Sequence, residues 1–129
     1  MIAHIKGKLV EKTPTFVVID VNGVGYHIKI SLQTFSSIKE DICKLFTHLS
    51  IKEDSHTLFG FYEKSERELF VKLISVSGVG PSTAQIILST YNSQEVINYI
   101  TSADVNAIKS VKGIGSKTAQ RIIVDLKDK

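Results

Sequence analysis

The pattern of hydrophobic and polar positions changes once along the chain, near residue 62. Before this point, β-branched and alternating runs are separated by turn signals such as Lys12-Thr13-Pro14 and Asn22-Gly23, which is typical of β-strands. The runs predict strands over residues 2–10, 16–21, 25–31, 43–51 and 57–62, with a short helical turn near residues 34–38. Five or six short strands in a segment of this length predict a small antiparallel barrel of the OB-fold type.

After residue 62 the apolar positions recur with the period of an α-helix. They predict helices over residues 65–74, 81–90, 94–100, 103–109 and 116–127, with Ser93, Ser102 and Ser116 as candidate N-caps. The predicted fold class is therefore α+β, with an OB-fold-like barrel over residues 1–63 followed by an all-helical domain over residues 64–129.

Two similar segments lie in the helical half, offset by 35 residues. Residues 75–88 read SVSGVGPSTAQIIL and residues 110–123 read SVKGIGSKTAQRII, with the same residue at 8 of 14 positions. Each segment places a glycine, an apolar residue and a second glycine between two helical patterns. Self-similarity at a fixed offset indicates a duplicated unit, and this one is typical of two helix-hairpin-helix motifs.

The Gly-apolar-Gly sequence suits contact with a phosphate backbone. Glycine allows a tight turn and a close approach by another molecule, and the helix that follows presents free amides at the positive end of its dipole. Two such motifs predict a nucleic-acid-binding surface that holds the sugar–phosphate backbone without reading base sequence. The candidate DNA-binding residues are Gly78, Val79, Gly80, Ser82 and Thr83 in the first motif, and Lys112, Gly113, Ile114, Gly115, Ser116, Lys117, Thr118 and Arg121 in the second.

Charge supports the second motif more than the first. The chain has a net charge of only +3, yet no acid interrupts the segment that contains Lys109, Lys112, Lys117 and Arg121. The first motif would have to bind through amides and hydroxyls. The lysines of the barrel (Lys6, Lys8, Lys12, Lys29) are balanced by acids in the sequence.

The remaining composition indicates few other chemistries. Cys43 is the only cysteine and the four histidines have no ligand spacing, so neither a disulfide nor a metal site is predicted, and no cofactor is expected. The first residues do not have the pattern of a signal peptide, and no run is long enough for a membrane span. We therefore expect a cytoplasmic protein with no membrane partner.

The order of these features resembles one family over the whole chain. The opening MIAHIKGKLVEKTP, the segment VNGVGYHI, the corner FTHLSIKEDSHTLFGF, and the motifs GVGP and GIGSKTAQRIIVDLKDK are similar to signatures of the RuvA family, the Holliday-junction-binding subunits of the bacterial branch-migration complex. The resemblance implies a non-catalytic subunit that acts in homologous recombination and DNA repair. It implies a tetramer or octamer that holds a four-way junction open, each subunit binding one arm through its two hairpins.

The resemblance also implies a third domain that contacts the RuvB ATPase, and the sequence given stops before such a domain would begin. Two further departures weaken phosphate partners. Some family members have lysine where this chain has Ser82, and some have two lysines where it has Ser116-Lys117. We expect this chain to depend more on backbone amides and on Lys112, Lys117 and Arg121.

Glu53 and Asp54 are adjacent acids on a predicted corner between two strands. Charged corners are usually only solvated, but carboxylates within a DNA-binding surface repel phosphates, by about 1 kcal/mol per contact at 4 Å in water. The resemblance implies that the matching acids form a pin at the centre of the tetramer, where the DNA strands cross. The hypothesis is that Glu53 and Asp54 keep the crossing strands apart.

Two alternatives stay open at this point. A helix-hairpin-helix repair enzyme, a glycosylase or a nuclease, would need a well-placed aspartate or clustered carboxylates, and only Asp125 and the Glu53-Asp54 pair are available. A single-strand-binding OB module would need exposed aromatic residues. The alternation places Tyr26, Phe46, Phe59 and Phe61 mostly in the core.

Overall fold

The computed structural model describes residues 2–128, and the chain divides into two compact units over residues 1–67 and 68–129. This division falls slightly after the boundary predicted at residue 63, which stays a prediction. Among the described residues, no helix is both long enough and apolar enough to cross a membrane.

The first unit is a closed five-stranded barrel in the order β1-β2-β3-β5-β4. The strands are β1 (His4–Lys12), β2 (Phe16–Val21), β3 (Val24–Ile30), β4 (Ile42–Lys52) and β5 (Ser55–Phe61). β1 pairs with both β2 and β4, which closes the barrel. The prediction of an antiparallel barrel is wrong at one seam, because β3 and β5 pair in parallel. The helix α1 (Leu32–Ser37) separates β3 from β4 in the chain, and β4 pairs with β1 and β5 rather than with β3.

Alternation along the strands fills the barrel interior. Val17, Ile19, Ile28 and Leu45 are fully buried and belong to one apolar cluster. The hairpin between β2 and β3 turns at Asn22-Gly23, where both residues have positive φ (53° and 91°), as the sequence predicted for this turn.

A buried polar network joins α1 to the start of the next helix, α2 (Lys64–Ile74). The Glu66 carboxylate accepts hydrogen bonds from the Thr34 hydroxyl at 2.7 Å and from the Ser31 hydroxyl at 2.9 Å. Ser31 also caps α1 by accepting from the Thr34 amide at 3.1 Å. Burial raises the pKa of Glu66, although the Thr34 and Ser31 hydrogen bonds oppose that change. A carboxylate in this position is tolerated because both of its oxygens are paired.

The rest of the chain is helical: α3 (Pro81–Thr90), α4 (Ser93–Thr101), α5 (Val105–Lys109) and α6 (Ser116–Leu126). The predicted caps are wrong by one or two residues. Asn92, with Glu95, forms the capping box of α4, and Asp104 caps α5, because Asn and Asp reach the third amide of the helix as well as serine does. The predicted fold class, an OB-type barrel followed by a helical region, is confirmed.

The Glu66 network predicts a specific pH dependence. Because the pKa of Glu66 is raised by folding, the folded state holds the proton more tightly than the unfolded state. We expect wild-type stability, relative to Glu66→Gln, to rise as the pH is lowered from neutral towards the ordinary glutamate pKa of 4.5, since the folded state then gains the proton before the unfolded state does. Urea unfolding across this range measures the effect.

Two further variants complete the comparison. Glu66→Ala should lose about 1–3 kcal/mol at every pH, because the Ser31 and Thr34 hydroxyls lose their acceptor. Glu11→Gln changes an exposed carboxylate on the barrel and should leave the pH profile as it is. A Glu66→Gln profile parallel to that of the wild type would contradict a raised pKa.

Candidate nucleic-acid interface

The two hairpin turns have almost the same backbone. Gly78 and Gly113 have positive φ values of 92° and 87°. Gly80 and Gly115 are the N-caps of α3 and α6, with extended backbones at φ −94°, ψ 176° and φ −89°, ψ 175°. In each turn the amide of the intervening residue donates back to a valine carbonyl, Val79 to Val76 at 3.0 Å and Ile114 to Val111 at 3.1 Å. The repeat in sequence is therefore a repeat in geometry.

The apolar residue between the glycines anchors each turn. Val79 is 5% exposed and Ile114 is 6% exposed, so each side chain plugs its turn into the helical core. Flanking positions that share the same offset are also buried in both copies: Val76 and Val111, Ala84 and Ala119, Ile87 and Ile122. These buried side chains hold each turn against the helical core, and the glycines of the turn remain exposed to solvent.

The second glycine of each motif is not required by the chain itself. A Cβ at Gly80 or Gly115 would meet nothing within 4 Å, and both residues have a φ that any amino acid adopts. Gly78 and Gly113 also have open space, but their positive φ already favours glycine. The free space at Gly80 and Gly115 therefore lets an external molecule reach the backbone closely.

Within residues 2–128, the first turns of α3 and α6 have amides without hydrogen-bond partners beside these glycines. Neither N-cap makes a side-chain capping bond, and Pro81 removes one amide from α3. The amides of Ser82 and Thr83 in α3, and of Ser116, Lys117 and Thr118 in α6, precede the first intrahelical bonds, which Ala84 and Ala119 donate. The expectation that Ser116 caps α6 is wrong, because Gly115 takes the cap position and Ser116 is the first helical residue.

The acidic pair lies on the barrel. Glu53 and Asp54 form a two-residue loop between β4 and β5, closed by the pairing of Lys52 with Ser55. Both side chains are exposed, and within residues 2–128 neither has a hydrogen-bond or ion-pair partner. Over the same residues, no group of three or more His, Cys, Asp and Glu side chains is placed to hold a metal ion.

Two family models match the chain in the same order as its two units. The model described as "RuvA N terminal domain" matches residues 1–60, and the model described as "SAM-like Helix-hairpin-helix tandem" matches residues 70–128. Similar curated proteins named "Holliday junction branch migration complex subunit RuvA" come from Christiangramia forsetii and Flavobacterium psychrophilum, each 62% identical. A third, from Cytophaga hutchinsonii, is 57% identical.

These matches include all of this chain, which spans 67% of the first two relatives and 65% of the third. The chain belongs to the RuvA family. The family assignment confirms the predicted recognition, and it makes the chain a non-catalytic subunit rather than an enzyme, as the sequence predicted.

The cations of the second hairpin are exposed in this RuvA-family chain. Lys112, Lys117 and Arg121 all face solvent. The Arg121 Nε lies 3.7 Å from the Asp125 Oδ2, with the two side chains 59% and 37% exposed. This pair was not predicted from the sequence, although the spacing of four residues in a helix could have indicated it. An exposed pair contributes about 0.2–1 kcal/mol, so it does not prevent Arg121 from reaching a phosphate.

The first hairpin offers no comparable cations. Ser82 is exposed and Thr83 is half-buried beside Gly80. The helix that follows this hairpin, α3, has no charged side chain from Pro81 to Thr90. The two hairpins thus share their backbone geometry and differ in charge.

The geometry predicts which glycines carry stability. Gly78→Ser and Gly113→Ser should each lower the free energy of unfolding by about 1–2 kcal/mol, because serine is strained at positive φ. Gly80→Ser and Gly115→Ser should leave it unchanged or raise it slightly, because serine is at least as good an N-cap as glycine. Urea unfolding of the four variants makes the comparison with the same substitution throughout. Equal losses at all four positions would contradict the assigned roles.

Proposed function

We propose that this chain binds four-way DNA junctions through their sugar–phosphate backbone, as the junction-binding, non-catalytic subunit of a RuvA–RuvB branch-migration complex. The names of the similar proteins support this role, since they describe a subunit of a Holliday junction branch migration complex. The DNA-binding residues are the hairpin residues named from the sequence, Gly78–Gly80, Ser82 and Thr83 in one, and Lys112–Thr118 and Arg121 in the other.

One observation carries the proposal: both motifs have a glycine that the protein itself does not need, next to amides without protein partners. A phosphate oxygen fits this combination, because it needs close approach, donors and a positive helix end. Backbone amides hold phosphate oxygens without reading the base sequence. Recognition would then depend on the shape of the junction, with each hairpin in contact with one backbone segment.

The charge difference between the hairpins gives them separate roles. The first would hold a phosphate by hydrogen bonds alone, and the second would add attraction from Lys112, Lys117 and Arg121. Only the second should contribute strongly to the salt dependence of binding, because that dependence follows the number of phosphates neutralised by cations.

The exposed Glu53-Asp54 loop supports a pin at the crossover. A loop of two residues holds both carboxylates at the tip of the hairpin between β4 and β5, and among the residues that the structure describes neither carboxylate forms an ion pair. In a tetramer four such loops would gather eight carboxylates. Their repulsion of phosphates would separate the crossing strands and favour open base pairs at the exchange point.

The partners and location follow from this role. We propose that the chain assembles with itself as a tetramer or an octamer, and that it works in the cytoplasm with the RuvB ATPase. In the family the contact with RuvB belongs to a third domain, which would lie beyond the two units described here. The predicted domain limits, 1–63 for the barrel and 64–129 for the DNA-binding hairpins, remain part of this proposal.

Competition between DNA substrates tests the proposed function. We expect a labelled four-way junction to be displaced by unlabelled junction but not by an equal mass of linear duplex of the same sequence. The double variant Gly80→Asp with Gly115→Asp should weaken junction binding about 10- to 100-fold, because each aspartate fills the space beside the amides and repels the phosphate.

Aspartate is a good N-cap, so this double variant should remain as stable as the wild type, which separates lost binding from lost folding. Ser36→Asp together with Thr15→Asp serves as the control, since it adds the same two negative charges at exposed residues of the barrel unit. If duplex competes as well as junction, the proposed function is wrong.

The pin predicts a local change in the DNA. Glu53→Gln with Asp54→Asn should bind the junction at least as tightly as wild type, because two repulsive charges are removed. Bases at the crossover should then unstack less, which 2-aminopurine placed at the branch point reports as lower fluorescence in the complex. Glu11→Gln removes an exposed carboxylate elsewhere on the barrel and should leave the fluorescence unchanged. The same fluorescence for the Glu53/Asp54 variant and the wild type would exclude a pin.

A further inference from the structure

A groove with a volume of about 530 Å³ lies on the outer surface of the barrel, where β1 runs beside β4. Its lysines are Lys6, Lys39 and Lys44, and its aromatic rings are Phe46 and Tyr62. Glu40 and Glu63 also line it, so the cations exceed the acids by one. This volume is within the range of roughly 300–1,000 Å³ that is typical of sites for small ligands or parts of larger ones.

Two of these lysines oppose each other directly. Lys6 on β1 pairs in register with Lys44 on β4, and both side chains are exposed. Like charges at such cross-strand positions destabilise a sheet, because their Cβ atoms lie only about 4.5–5.5 Å apart. Within residues 2–128 neither lysine has a carboxylate partner. A bound anion would remove this repulsion.

The other lysines of the barrel are placed differently. Lys8, on the same strand as Lys6, lies opposite Asp20 on β2, and the Lys12 Nζ donates to the Ile38 carbonyl at 2.7 Å. In register, Lys8 therefore faces an acid, without an ion pair among the described residues, whereas Lys6 faces another cation. The proximity of Lys6 to Lys44 follows only from the pairing of β1 with β4.

The aromatic rings of the groove add a second kind of contact. The Lys44 ammonium lies 5.1 Å from the centroid of the Phe46 ring, and the Arg67 guanidinium lies 5.7 Å from the same centroid. The first contact holds the Lys44 cation beside the Phe46 ring in the groove, whereas Arg67 does not line the groove. The Tyr62 side chain is 42% exposed and has no ring or cation contact among the described residues, so one face of a base could stack on it.

We propose that this groove binds a short segment of single-stranded DNA, with a phosphate between Lys6 and Lys44 and an unpaired base on Tyr62. Charge complementarity favours an anionic strand, and the free aromatic ring favours a nucleic acid over an acidic peptide. Duplex DNA does not fit the same contacts, because its bases are already stacked on each other.

The groove differs from the usual ligand face of this fold. OB-folds usually bind oligonucleotides across strands 2 and 3 and the adjoining loops. In this barrel the outward positions of β2 and β3 include Lys29 and Asp20, and Phe16 is stacked on His27 with their centroids 4.4 Å apart. The opposed lysines and the free aromatic ring lie instead on the β1–β4 side. The site goes beyond the proposed junction binding, which depends on the hairpins.

The test uses the 129-residue chain with both hairpins blocked by Gly80→Asp and Gly115→Asp. Fluorescence anisotropy measures binding of a labelled oligo(dT) of about twelve nucleotides, long enough for the site sizes of single OB-folds. Adding Lys6→Gln and Lys44→Gln should weaken binding at least tenfold, roughly, and should reduce the slope of log K against log salt by about 0.7, for the one phosphate that the two lysines hold on a single strand. Tyr62→Leu should weaken binding about tenfold without changing that slope.

Lys8→Gln with Lys29→Gln is the matched control, because it removes two exposed barrel lysines outside the groove. Its affinity should change less than about twofold if the position of the charges decides binding. The Lys6/Lys44 variant should keep or raise its urea midpoint, since it removes a like-charge pair, and a retained midpoint excludes misfolding as the cause.

Three results would overturn the proposal: no oligo(dT) binding by the hairpin-blocked chain, equal losses in the groove and control variants, or unchanged affinity in the Lys6/Lys44 variant. A change in the mass of the protein in solution, with unchanged DNA affinity, would make the groove a contact between copies and would also overturn it. None of these results depends on junction binding, which the competition with duplex tests separately.

Discussion

The conformation of the Gly-apolar-Gly turn is the constraint on which the proposed DNA contacts depend. The first glycine takes a positive φ that other residues rarely adopt, and the second starts the next helix from an extended backbone. The buried side chain between them, Val79 or Ile114, holds the turn against the core. The helix amides therefore face solvent in a fixed orientation, and no side chain needs to be ordered when a phosphate arrives. Preorganised donors of this kind lose less entropy on binding than flexible lysines do.

The duplicated motif also shows that equal sequence does not give equal surroundings. Gln85 and Gln120 occupy the same place in the two copies, yet the Gln85 amide group is buried without a hydrogen-bond partner among the described residues, whereas Gln120 is exposed. The charges differ as well, since the cations are concentrated in the second copy. The backbone provides the common contact, and the side chains adjust its strength. This division allows the two hairpins to diverge in charge while both keep the geometry that suits phosphate.

The polar groups of the barrel differ in whether other residues of the chain pair with them. Glu66 is tolerated in a buried site because two hydroxyls satisfy it, and one of these hydroxyls also caps α1. Within residues 2–128, Lys6 and Lys44 have no carboxylate partner, and Glu53 and Asp54 form no ion pair, although Lys52 precedes them in the chain. Like charges held close together on a surface indicate an external partner more strongly than total charge does, because the net charge of +3 conceals both groups.

The sequence by itself determined the features that depend on neighbouring residues. It specified the strands through alternation, the Asn22-Gly23 hairpin, the helical half and the two hairpins, because backbone preference and periodicity act within a few residues. The N-caps lie one or two residues from the predicted serines, because Asn92 and Asp104 can take the same role in α4 and α5, and because the glycine of the turn, Gly115, is the cap of α6. Only the tertiary structure decided the parallel pairing of β3 with β5, the contact of Glu66 with Ser31 and Thr34, and the meeting of Lys6 with Lys44. These contacts join distant segments through strand register and barrel closure, which no local pattern of residues specifies.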